Sequence, residues 1–487
     1  MIDPSPSADS AADAGPPPWN VARLLAFRFV FAYLLLYNFQ SCVQYTASLA
    51  GKAARAVLWL PVKMEWVEQQ TSASVGAAVY QPVLWLQQHV QSLNASIIRR
   101  AFSIEITVFP NGSGDTTYNY FEIVIFTAVA LAATIVWSVV ASLRGGGRSH
   151  PRLHAFLRVY VRFVLALTMI GYGMAKVIKL QFPDPDPFRL TETFGEASPM
   201  GILWALMGAS WGYNVFGGLG EVVGGLLLLW RRTTMLGALV TAAVMANVVA
   251  LNFSFDVPVK LYSSHLFLQA IWLALPGMSH LCTLLLSNRA IPERTPDVRW
   301  SRPALHRPWV AIKSLLIAVY MAEQVTTGIA GYHSVGDGAK LPPLVGLFRV
   351  ESFSSDDDDP PPRPESSIWQ EVIIGRTYPW TGDKGTMRIE RANRARTYFG
   401  YSADFQSQVL VLTPATAGRG RVPTADPAAA AADAQVLRFT QIDADRVRLQ
   451  GAFEGSQIDA MLVRRPASEF LLMNRGFHWI NEYPFNR

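Results

Sequence analysis

The chain has 487 residues, 51% of them hydrophobic and only 16% charged, with a net charge of +6. Soluble domains carry about 25% charged residues, so this composition excludes an ordinary globular protein, and two cysteines exclude a disulfide scaffold. The basic excess flanks apolar stretches, which leaves no case for nucleic-acid binding.

Seven apolar stretches lie at roughly 22–46, 121–143, 155–180, 212–230, 233–252, 262–286 and 309–331. Each approaches the ~20 residues needed to cross a bilayer. They predict an α-helical polytopic membrane bundle of about seven spans, with the lipid bilayer as its first partner.

Residues 1–20 are rich in Ala, Pro, Asp and Ser and are expected to be disordered. No basic region precedes the first apolar run, so 21–46 reads as a retained first span rather than a cleaved signal. Residues 47–120 are too long for a structureless loop. Trp59, Trp66, Tyr80 and Trp85 suggest amphipathic helices at the outer membrane boundary.

Residues 121–152 hold the second span and the basic loop RGGGRSHPR. Residues 153–287 form a four-helix membrane core. Within it, PMGILWALMGAS (199–210) is too short to span and reads as an interfacial or re-entrant helix, N-capped by Ser198 with Pro199 following. Residues 288–331 contain a basic linker and the last span.

Residues 332–367 read as a linker, including SSDDDDPPPRP (354–364), whose aspartates lack the pattern of a calcium loop. Residues 368–487 change period. The runs 368–374, 386–392, 397–401, 408–413, 435–442, 445–451, 456–463 and 469–473 alternate in the manner of strands. They predict a C-terminal all-β domain, a lipocalin-like barrel or a sandwich, able to fold alone as 365–487. Residues 414–434 read as a mobile insert, and the aromatic segment 474–487 as one that docks on the barrel or on the membrane.

Arginines orient the bundle. They occur in 144–152, at Arg231 and Arg232, and through 288–308, while 181–200 is acidic. The positive-inside rule then places the N-terminus in the cytoplasm and the C-terminal domain outside the cell inner membrane, that is, in the periplasm. Cys42 and Cys282 fall at opposite ends of the spans and cannot meet.

Glu221 stands in FGGLGEVVGGLLLLW, otherwise a spanning segment. A carboxylate there costs roughly 2.5–3.5 kcal/mol on insertion scales and marks a site or a buried pair. Glycines 217, 218, 224 and 225 lie three or four residues away, so neighbouring backbones can close over it. At ~1.5 Å per residue, Glu221 lies about 13 Å and Lys176 about 6 Å below the outer boundary. Lys176 is the preferred partner, with Arg162 as the competitor.

Other polar residues share the outer level: Asp115, Tyr118, Asn214, Asn247, Asp256, Lys260 and His265. Shared depth permits one membrane-embedded polar site, which sequence cannot assemble. His265 has the ordinary titration range of a proton relay. Neither a metal-ligand cluster nor a two-histidine haem pair is evident, and the catalytic residues are not identifiable.

Residues 162–180 (RFVLALTMIGYGMAKVIKL) and 217–249 (GGLGEVVGGLLLLWRRTTMLGALVTAAVMANVV) resemble the DoxX/DoxD-like family of small four-helix membrane proteins. The resemblance rests on an arginine-led helix ending G-x-x-K, then G-x-x-E-x-x-G-G, then a basic turn. GSGDTTYNY, DVPVKLYSSH and RGFHWINEYPFNR look like a larger bacterial DoxX-like group. A weaker likeness, in span number and β domain, is to the membrane domain of vitamin K-dependent carboxylases.

The resemblance implies a bacterial inner-membrane protein. Some relatives serve quinone-linked oxidation, including the membrane subunit of thiosulfate:quinone oxidoreductase; others assist maturation of partner proteins. On that analogy Lys176 and Glu221 are the family-matching charges, and a quinone is the one cofactor that the quinone-linked relatives suggest for a site whose ligand the sequence does not identify. Three readings follow. The first is a quinone- or lipid-binding subunit working with a redox partner. The second is a non-enzymatic scaffold or maturation factor with a periplasmic binding domain. The third is a transporter.

Overall fold

The structure is a computed structural model. It describes residues 19–58, 65–106, 108, 113–145, 149–287, 303–356, 364–378, 381, 384–414 and 434–486. The expected disordered start, the linker 288–302, the aspartates 357–359 and most of the insert 414–434 lie outside the described residues. The chain divides into two compact units, residues 1–178 with 215–328, and residues 179–214 with 329–487.

The first unit is helical. Its elements are α1 (Val21–Leu58), α2 (Glu65–Phe102), α3 (Thr117–Leu143), α4 (Pro151–Val177), α7 (Trp211–Leu228), α8 (Thr234–Ser254), α9 (Lys260–Ser287) and most of α10 (Pro303–Ser334); α5 (Pro187–Leu190) and α6 (Pro199–Ala209) belong to the second. α1 runs on past its span, and α2 is one 38-residue helix packed on α1 and α3.

Local chemistry sets the helix starts. Thr116 accepts from the Asn119 N–H, and the Asn119 side chain reaches back to the Thr116 N–H, a reciprocal box that opens α3. Pro151 at the first position of α4 needs no N–H partner. Ser198 caps α6 by accepting from the Gly201 N–H, as its sequence predicts. The start of α9 is capped from afar: Asp115 accepts from the Lys260 and Leu261 N–H groups at 2.7 and 2.9 Å.

Six helical stretches among the described residues are long and apolar enough to cross a membrane: 21–43, α3, α4, α8, α9 and 307–334. The expected seventh, α7, falls outside that set because Asn214, Glu221 and six glycines dilute its hydropathy over 18 residues. It packs inside the bundle nonetheless, antiparallel to α4 and to α8. A Cβ at Gly225 would meet the Ala166 carbonyl at 2.7 Å, and one at Gly224 would meet Thr241 Oγ1 at 2.7 Å. Large apolar side chains stay exposed around the bundle, such as Ile135 at 63% and Leu268 at 59%, where a bilayer would cover them.

The second unit is built on a closed barrel of eight antiparallel strands, each paired with its neighbours in sequence and β8 returning to β1. The strands are β1 (Gly346–Ser355), β2 (Trp369–Ile374), β3 (Lys384–Arg391), β4 (Arg396–Asp404), β5 (Val409–Pro414), β6 (Gln435–Gln441), β7 (Arg446–Phe453) and β8 (Ser456–Arg464). Seven of the eight expected runs are strands, but EFLLM (469–473) is not. It lies in a 3-10 turn and a short helix, Leu471–Asn474. The missing strand is β1, which comes from the expected linker. Leu347 and Phe348 are buried, and β1 bonds β2 on one side and β8 on the other, with a bulge at Val350–Ser352.

The barrel interior is filled. Phe348, Val372, Met387, Ile389, Leu410 and Leu449 are completely buried. Closure removes every strand edge, and the packed centre makes this a core rather than a ligand chamber. Residues 187–198 cover the outer face of β3 and β4: Arg388 donates to Thr191 Oγ1 at 2.8 Å and Arg396 to Glu196 at 2.7 Å. The closing aromatic segment does not dock on the barrel; Trp479 is 91% exposed and Tyr483 is 85% exposed.

Candidate functional site in the helical unit

α4 and α7 cross at two glycines. A Cβ on Gly173 would stand 2.6 Å from the Gly218 carbonyl oxygen, and one on Gly218 would stand 2.6 Å from the Gly173 oxygen. Only hydrogen side chains permit backbones that close. Lys176 and Glu221 each sit three residues past their glycine, hence one turn on along the same face. Lys176 Nζ donates to both Glu221 carboxylate oxygens at 2.8 Å. Both residues are buried, at 8% and 3% exposure. Arg162, the competing partner, instead donates to Thr234 Oγ1 at 3.3 Å.

A polar seam continues from this pair. The Tyr172 ring lies 5.9 Å from Lys176 Nζ and faces the Tyr262 ring of α9 at 6.1 Å. Tyr262 adjoins Thr168 and Ser41, and Thr168 Oγ1 is 2.9 Å from the Tyr45 hydroxyl. One turn along α9 from Tyr262, the His265 ring stacks on Tyr37 at 4.0 Å.

His265 is held at both nitrogens. Nδ1 lies 2.7 Å from the Leu261 carbonyl oxygen and Nε2 lies 2.7 Å from the Tyr33 hydroxyl. A carbonyl only accepts, so Nδ1 carries a proton, while Nε2 and the Tyr33 hydroxyl share a hydrogen bond in which either can donate. A turn further along α9, Gln269 Oε1 accepts from Asn38 at 3.1 Å, while the buried Gln269 Nε2 has no partner among the described residues. An orphaned buried donor calls for an acceptor.

The remaining expected site residues do not join the seam, although Lys260 Nζ draws Asp115 to 3.9 Å and Asp256 to 2.7 Å. Asp115 is spent on the α9 cap, and Lys260 bonds Asp256 at 2.7 Å. Tyr118 lies between Asn94 and Glu122. Asn247 is on the exposed face of α8. Asn214 belongs to the second unit, where it donates to the Phe182 carbonyl at 3.0 Å. Of the nine candidates, Glu221, Lys176 and His265 lie along the seam and the other six do not.

Sequence reasoning missed Tyr33, Tyr37, Asn38, Tyr172, Tyr262 and Gln269. A signal existed. Tyr33 and Tyr37 are four apart, and Tyr262, His265 and Gln269 follow at three and four, so each set marks one helix face. Polar side chains repeating at helical spacing inside an apolar run predict a seam; single tyrosines read as interface residues.

Over 126 residues, which make up 26% of this chain and 80% of the relative, the chain is 32% identical to a protein of Bacillus subtilis (strain 168) called "Uncharacterized protein YwoB". No family model matches the chain, and no solved structure does.

Proposed function

The chain belongs to one family with that Bacillus protein, and from this premise we propose a multi-pass protein of a bacterial inner membrane whose helical unit binds the head group of a quinone or a similar lipid. The observation that carries the reading is the Tyr33–His265 hydrogen bond, 2.7 Å long, in a stretch otherwise built of apolar helices. A bound quinone would supply two-electron, two-proton chemistry. The chain supplies proton placement. Tyr33 and the His265 imidazole share a hydrogen bond along which a proton can pass, Tyr37 provides a flat aromatic wall, and the orphaned Gln269 Nε2 is a donor suited to a carbonyl oxygen.

No redox centre is evident in the sequence, so electrons would come from a redox partner. The DoxX-like resemblance supports the same reading, with Lys176 and Glu221 as a neutral pair beside the head-group seam. Counting α7 as a crossing gives seven, an odd number that would put the termini on opposite sides, and the arginine-rich loops support a cytoplasmic N-terminus with a periplasmic barrel. Alkaline phosphatase fused at residue 345 should then be active, and fused at residue 148 inactive.

The direct test is purification in mild detergent, a visible spectrum, and extraction of bound small molecules for mass spectrometry. One quinone per chain, lost in Tyr33→Phe and His265→Gln while the protein keeps its melting temperature, is the expected result. A ligand-free protein that captures one partner stoichiometrically would replace this reading with the second, a membrane scaffold or maturation factor. The packed barrel favours that alternative, since it offers a partner only its outer surface.

A further inference from the structure

At the opposite end of α4, cations gather. Arg158 and Arg162 stand one turn apart on α4, Arg231 lies in the turn between α7 and α8, and Lys313 lies on α10. Among the described residues, the charged groups beside Arg162 are Arg231 and Arg158, and the one beside Lys313 is Arg162; all are like charges. Among the described residues, the hydrogen bonds of Arg162 and Lys313 run to uncharged acceptors. Arg162 Nη1 donates to Thr234 Oγ1 at 3.3 Å, and Lys313 Nζ donates to the Leu229 carbonyl at 3.0 Å. Arg162 Nε is buried without a partner among the described residues.

Three positive charges converging between helices repel one another, and the repulsion is greater where water is scarce. An anion among them would reverse that sign. We propose that Arg162, Arg231 and Lys313 hold a phosphate group, that of an anionic phospholipid head. The guanidinium fork and the ammonium suit phosphate oxygens, and basic pockets between membrane helices on the cytoplasmic side bind such heads. The surroundings suit a lipid rather than a free ion. Trp230 packs 5.5 Å from Lys313 Nζ, and Trp309, Ile312 and Leu236 beside it are exposed, ready to line acyl chains. This site is independent of the Tyr33–His265 seam.

The test uses the full chain in detergent, with melting and native mass spectrometry after adding phosphatidylglycerol, phosphatidylcholine or inorganic phosphate. Phosphatidylglycerol should be retained selectively and raise the melting temperature over phosphatidylcholine. Arg162→Gln with Lys313→Gln should abolish the difference. Arg231→Gln, at an exposed turn position, should cut the preference about fivefold, the share expected of one basic residue, with melting in phosphatidylcholine unchanged. It carries the test if the double variant does not fold. An equal shift from inorganic phosphate would identify a free ion as the source of the same phosphate chemistry. Equal retention of both lipids by the natural chain, or full selectivity in Arg231→Gln, would overturn the proposal.

Discussion

Lys176 Nζ lies 2.8 Å from each carboxylate oxygen of Glu221, and the two residues meet because Gly173 and Gly218 let the antiparallel α4 and α7 touch backbone to backbone between them, within reach of the lysine stem. The charge pair and the glycine crossing are one device. The glycines bring the helices together, and the closeness excludes water from the pair.

Removing one member of that pair leaves the other buried and uncompensated. Breaking a buried pair typically costs roughly 3–5 kcal/mol, more than replacing both members. Glu221→Gln and Lys176→Met are each expected to lower thermal stability in detergent by that order, and the double variant to recover part of the loss. A coupling near zero in the double-mutant cycle would show that the pair carries no such energy.

The crossing itself is testable with single methyl groups. Gly173→Ala would place a Cβ against the Gly218 carbonyl, a backbone atom that cannot rotate away. A loss of about 1–3 kcal/mol is expected from such overpacking. Gly217→Ala meets nothing within 4 Å and should change stability by no more than about 0.5 kcal/mol. Equal effects from the two substitutions would contradict the close approach.

A fragment of residues 341–466 should fold alone, with β-rich circular dichroism and a cooperative melt. Residues 365–487 lack β1, so β2 and β8 each lose a ladder partner and the barrel stays open. That shorter fragment should aggregate or remain unfolded. Cooperative melting of 365–487 would show that β1 is dispensable.

The barrel should lose stability in acid. Arg448 bonds Asp459 and, against partial burial, holds its carboxyl below the usual range; the Ser407 hydroxyl and the Gln406 N–H do the same for Asp404. A depressed folded value means stability that is present above the unfolded pKa and lost as pH falls through the folded one. The melting temperature of 341–466 should therefore hold above about pH 5 and fall below about pH 4. Arg448→Gln should flatten part of that fall, and an unchanged profile in this variant would remove Asp459 from the account.

Much of the fold was legible because its signals are local. Apolar runs of span length, the cap at Ser198 and seven alternating strands can each be read within a few residues. β1 was missed because its company misleads: the strand VESFSS leads into an aspartate and proline run, and only the unpaired edges of β2 and β8 require a strand there. EFLLM has the composition of a strand, but the barrel is already closed without it.

The candidate site was half legible. Glu221 stands out alone, since a carboxylate in an apolar segment needs a partner wherever it lies. Its choice of Lys176 over Arg162 depended on depth, which counting along a helix supplies. The Tyr33–His265 bond did not follow, because it joins residues 232 apart on helices whose contact no local pattern states.

The sequence by itself determined that this is a membrane bundle followed by a β domain, and that one buried carboxylate must be paired. Periodicity and transfer energy decide both without knowledge of any neighbour. Only the tertiary structure decided which faces meet: α4 against α7 at bare glycines, α1 against α9 at a phenol and an imidazole, and β1 against β8 to close the barrel. Those choices depend on surfaces brought together from distant parts of the chain, and such surfaces exist only once the helices and strands have packed.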